Sequence, residues 1–122
     1  MKENMYIPHK LAVKLSRYWD KDHPDDADEN AVWGTITALT YSEVINWLES
    51  KNIYLEICPT AIPQDAFNEE SSLWKVGYYI CVYENIMAVR FYDYAYSTPY
   101  LSSRKEALDC AIEYVIDNIL MK

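Results

Sequence analysis

This sequence predicts an α+β domain, and three observations carry the prediction. Two capping-box patterns, Thr40 with Glu43 and Ser103 with Glu106, each open an apolar stretch at helical spacing. Between them, residues 53–58 and 73–83 alternate apolar and polar side chains with the period of half-buried strands. At 122 residues, 51% hydrophobic and 15% aromatic, the chain has the size and composition of one domain, 1–122, with its own core. The expected order is a helix, a short strand, then helix-β-β-β-helix. The sheet is expected to be mainly antiparallel, with three or four strands and helices packed on one face.

The first helix is predicted from Pro8 to Trp19, where Leu11, Leu15, Tyr18 and Trp19 recur at helical spacing and Pro8 suits the first turn. Residues 20–31 follow as an acidic, solvated and mobile loop, with six carboxylates between Asp20 and Glu29. Residues 32–39 are rich in β-branched and aromatic types and are assigned a short strand. Thr40 and Glu43 then start a helix, with Leu39 and Val44 as the hydrophobic staple and Val44, Trp47 and Leu48 as the buried face.

Ile53, Leu55 and Ile57 mark the next strand, which Pro59 and Pro63 are expected to end, with a loop to about Ser72. From Leu73 to Tyr83 a second strand places Trp74, Val76, Tyr78, Ile80 and Val82 on one face. Glu84-Asn85 is read as a tight turn and Ile86–Tyr94 as the returning strand. The last helix follows Ser103, with Leu108, Ala111, Ile112, Val115 and Ile119 on one side.

Eleven basic residues against nineteen acidic ones give a formal net charge of −8. Phosphate neutralisation supplies most nucleic-acid affinity, so this balance argues against direct binding of DNA or RNA. It also argues against anionic membranes, and no apolar run approaches the roughly 20 residues of a membrane span. Cys58, Cys81 and Cys110 form neither a disulfide framework nor a CxxC pair. No secretory pattern opens the sequence, so a reducing, cytoplasmic setting is expected.

Recognisable chemistry is scarce. With only Gly34 and Gly77, the chain has no P-loop and no GxGxxG turn. An EF-hand counted from Asp20 puts Asp25 at the glycine position and Ala31 at the bidentate glutamate position, so it fails. His9 and His23 are the only histidines, and the cysteines fall in predicted strands and a helix, where small thiols usually pack. No catalytic residue, cofactor or metal ligand is assigned, and no enzymatic activity is expected.

The tyrosines are the positive signal. Seven of twelve lie between residues 78 and 100. With helices on one sheet face, Tyr79, Tyr83, Tyr92, Tyr94 and Tyr96 are assigned to a protein-binding surface on the other. The expected function is a small non-enzymatic interaction module with a protein partner or a second copy of itself. The alternative is an acidic nucleic-acid mimic that inhibits a DNA- or RNA-handling enzyme.

Helix-β-β-β-helix resembles the order of the double-stranded-RNA-binding domain, whose last helix begins with a basic turn. Here that turn is Ser102-Ser103-Arg104-Lys105-Glu106, followed by Asp109 and Glu113, so only the architecture is shared. Three further segments resemble a group of small uncharacterised proteins of Bacteroides-type bacteria, their phages and conjugative elements. They are Tyr6-Ile7-Pro8 leading into Leu11–Leu15, Thr40–Leu48, and Ser102–Leu108 with Ala111-Ile112. That resemblance implies a phage or mobile-element origin and carries no site residues with it.

Overall fold

The computed structural model describes residues 5–23, 38–63 and 74–121. Among the described residues, four α-helices and a three-stranded antiparallel sheet make an α+β fold. Helix α1, His9–Asp22, buries Leu11, Ala12, Leu15 and Trp19. It runs about one turn past the predicted end because its last turn is anchored. Trp47 Nε1 donates to Asp22 Oδ2 at 2.9 Å, and Lys51 Nζ pairs with the same oxygen at 2.6 Å. The His23 ring stacks on Trp19 with centroids 4.0 Å apart. The acidic segment therefore does not begin as a free loop at Asp20. Residues 24–31 of that loop, and 32–37 of the expected short strand, lie outside the described residues; 38–39 belong to no strand.

The hydrogen bonds from Lys51 and Trp47 hold the Asp22 carboxyl below its ordinary value of 3.8. A depressed carboxylate stabilises the fold above its unfolded-state pKa and loses that effect as pH falls through the folded value. Asp22→Asn is therefore expected to lower the thermal midpoint at neutral pH. The gap to the parent should close as pH drops below 3.8. Thermal melts across that range check it; a gap independent of pH would exclude the charge as its source.

Helix α2, Tyr41–Ser50, begins with the complete capping box of Thr40 and Glu43. Asn52, in the left-handed region at φ 68°, turns the chain into strand β1, Tyr54–Pro63. β1 pairs antiparallel with β2, Trp74–Tyr83, from Tyr54↔Tyr83 to Pro63↔Trp74. Pro59 does not end the strand, contrary to expectation. Its partner Tyr78 turns its own N–H and C=O to Leu101, both at 2.8 Å, so the missing Pro59 N–H costs no rung between the strands.

The third strand is not Ile86–Tyr94. Asn85 Oδ1 accepts from Ala88 N–H at 2.8 Å and caps a short helix α3, Ile86–Arg90. With no glycine at 84–85, the left-handed conformations of a two-residue hairpin are disfavoured. The chain returns instead as β3, Tyr96–Ser97, opposite Val82 and Cys81. Helix α4, Arg104–Val115, is capped by Ser103 and continues as a π-helical segment, Ile116–Leu120.

Because opposite residues share a sheet face, Leu55 with Val82 and Ile57 with Ile80 point one way, toward the helices. They join Leu15, Leu39, Val44, Leu48, Leu108, Ile112 and Val115 in one core. α4 lies on β2, α2 reaches β1, and α1 packs on α4 and its extension. Among the described residues, no helix is long and apolar enough to cross a membrane.

Candidate functional site

The opposite sheet face carries Tyr54 with Tyr83, Glu56 with Cys81, and Cys58 with Tyr79, each pair opposite across β1 and β2. Ser97 of β3 lies opposite Cys81 and joins the same face. Strand alternation points residues 79, 81 and 83 the same way, and the register sets them opposite 58, 56 and 54.

The five predicted surface tyrosines separate. Tyr79 stays on the open face, half-buried, with the Tyr100 ring tilted against it at 5.3 Å. Tyr83 shares that face but is only 1% exposed, so it is not a surface ring. Tyr94 packs edge-on over it, centroids 6.4 Å apart, and the Tyr83 hydroxyl donates to Glu56 Oε1 at 3.1 Å. Tyr94 itself is exposed. Tyr96 goes to the other face, opposite Val82, where it stacks on Tyr114 at 4.0 Å and 5°. Tyr92 is 75% exposed in the turn after α3 and adopts φ 55°, the left-handed region that a side chain disfavours. Phe91 beside it is also exposed, as is Tyr100, a further ring beyond the five assigned to the surface.

A row of rings thus runs Tyr100, Tyr79, Tyr83, Tyr94, with Phe91 and Tyr92 just before its end in the chain. Set into its middle are Glu56, Cys58 and Cys81, whose donor atoms all lie within 4.8 Å of one another. Cys58 Sγ is 3.6 Å from Glu56 Oε1. Burial pushes both thiols up from their ordinary value, and the Glu56 charge adds to that. They are protonated at neutral pH and poor nucleophiles. Tyr83 is raised in the same direction, by burial first and then by its bond to Glu56.

Sequence reasoning missed this donor group because Cys81 is distant in the chain from Glu56 and Cys58. The readable half was Glu56-Ile57-Cys58, a spacing that puts two ligand types on one face of a strand. Among the described residues, this is the one group of three or more such donors, and it contains no histidine.

A cleft of about 540 Å³ lies elsewhere, between the start of α1 and α4, lined by Leu11, Tyr96, Asp109, Cys110, Glu113 and Tyr114 among others. Its carboxylates have partners. Asp109 accepts from the Tyr41 hydroxyl at 2.5 Å and pairs with Lys105 at 3.1 Å. Lys14 pairs with Asp117 at 3.1 Å and reaches Glu113 at 3.9 Å. The Tyr41–Asp109 and Lys14–Asp117 contacts tie helices together, while Lys105–Asp109 is a pair within α4. Comparison with protein-family models, curated proteins and solved structures finds no match for this chain.

Proposed function

We propose that this chain is a non-enzymatic interaction module, in the phage or mobile-element setting that its resemblance implies. It docks a protein partner with a basic, apolar-tolerant surface through the rings of the open sheet face together with Tyr92 of the turn that follows α3. The observation that supports this reading is Tyr92. Its ring stands in water on a left-handed backbone residue, where glycine or asparagine would satisfy the fold at lower cost. A large exposed ring kept there at a cost to stability is accounted for by a contact that it makes with a partner. Tyrosine rings also contribute large contact area with little loss of side-chain freedom. The net charge of −8 favours the basic partner.

A photo-crosslinking side chain in place of Tyr100 should give one defined adduct in the natural host, whereas the same group at exposed Val13, on α1, gives none. Tyr79→Ser combined with Tyr100→Ser is expected to weaken the complex on the order of 30-fold with little change in the fold. Tyr83 is unsuitable for this test because it is buried. Tyr92→Gly should stabilise the fold by about 0.5–1 kcal/mol while weakening the complex. Identical adducts from positions 100 and 13, or unchanged affinity in the double variant, would overturn the reading. Affinity that collapses with salt and ignores the tyrosines would instead favour acidic mimicry.

A further inference from the structure

We propose that Glu56, Cys58 and Cys81 form a binding site for one thiophilic divalent cation, zinc by its chemistry, on the open face of the sheet. This is separate from the docking reading and does not depend on it. Glu56 and Cys58 are two apart on β1, so strand alternation points both side chains outward together, and Cys81 on β2 lies directly opposite Glu56. Two strands paired along their length therefore deliver three ligands to one point, with no loop to order first.

The distances suit a tetrahedral ion. With Zn–S of about 2.3 Å and Zn–O of about 2.0 Å, the ligand edges are about 3.8 Å between sulfurs and about 3.5 Å from sulfur to oxygen. The Cys58–Glu56 edge is already 3.6 Å. The full set lies within 4.8 Å, so closure takes about 1 Å of side-chain rotation. Sulfur donors select zinc-like ions over magnesium and calcium, which prefer oxygen. Three protein donors leave a fourth position for water or a partner's ligand.

Tyr83 provides the second support. Tyr83, 1% exposed on the same face as the three ligands, directs its hydroxyl at Glu56, 3.1 Å away, and Tyr94 packs on its ring. Such a hydrogen bond fixes a ligating carboxylate toward its metal. On binding, two thiol protons leave to solvent and the two thiolates and the carboxylate offset the dication charge. Cys110 is on the helix side, 3.7 Å from the Tyr96 hydroxyl, and serves as the internal control.

The test is titration of the fully reduced, full-length protein with Co²⁺, followed by displacement with Zn²⁺. The expected result is one ion per chain, with a thiolate-to-cobalt charge-transfer band that zinc abolishes. Cys58→Ser, at a half-exposed position, and Cys81→Ser should each eliminate the band, while Cys110→Ser retains it. Tyr83→Phe keeps the buried ring and should weaken affinity about 10–100-fold. Circular dichroism shows that each variant is folded. Absence of the band in the parent would overturn the proposal. So would a band that survives in both Cys58→Ser and Cys81→Ser, or one that is lost in Cys110→Ser.

Discussion

Replacing Trp47 with alanine is expected to lower the free energy of unfolding by about 3–5 kcal/mol. Domains of this size are stable by roughly 5–15 kcal/mol, so the loss is a large share of the total. Trp47 is 5% exposed and meets Trp19 edge-on at 5.3 Å, joining α2 to α1. Its Nε1–H also satisfies Asp22, and Lys51 lies 5.4 Å from its ring centre while pairing with the same carboxylate. Alanine therefore leaves a cavity and releases the last turn of α1. Trp47→Phe retains an apolar ring and loses the donor and part of the ring volume, so its cost should be smaller, about 1–2 kcal/mol. Denaturant titration checks both through the midpoint at unchanged slope. Equal losses in the two variants would mean that the hydrogen bond, not the packing, dominates.

The parts of the fold that were legible are those decided within a few residues. Thr40 and Glu43 close their capping box across one turn, and Leu108, Ala111, Ile112 and Val115 form a stripe that any packed helix must bury. Alternation located β1 and β2 for the same reason. Residues 86–90 were misread because Ile86-Met87-Ala88-Val89-Arg90 suits either state. The Asn85 cap and the non-local pairing of Tyr96 with Val82 decided between them. Pro59 looked like a stop because its register against Tyr78 is a tertiary fact.

The candidate site follows the same division. A tyrosine-rich open face could be read from strand periodicity, but which rings reach water could not. Tyr83 is covered because Tyr94 folds back over it, and Tyr96 crosses to the core because β3 enters in the register opposite Val82. The Glu56–Cys58–Cys81 group needed the β1–β2 register, which alternation leaves open between several alignments.

Thr98→Val is expected to cost about 1–3 kcal/mol although it barely changes shape. β3 is only two residues long, and one side chain extends its pairing. Thr98 N–H donates to the Ile80 carbonyl at 2.9 Å, while Thr98 Oγ1 accepts from Ile80 N–H at the same distance. Thr98 is 3% exposed and Ile80 fully buried, so valine leaves a backbone N–H in the interior with no acceptor and no water to replace it. Thr98→Ser keeps the oxygen and should remain within about 0.5 kcal/mol of a small packing loss. The consequence reaches the open face, because Thr98 and the Leu101–Tyr78 bridge together bracket Tyr100 and hold it over Tyr79. In the valine variant, slowed exchange of the Ile80 amide should disappear and contacts between the rings of Tyr79 and Tyr100 should weaken in NMR spectra. Retained protection of that amide would show that another group accepts from it. The aromatic row would then be held by the Leu101 bridge alone.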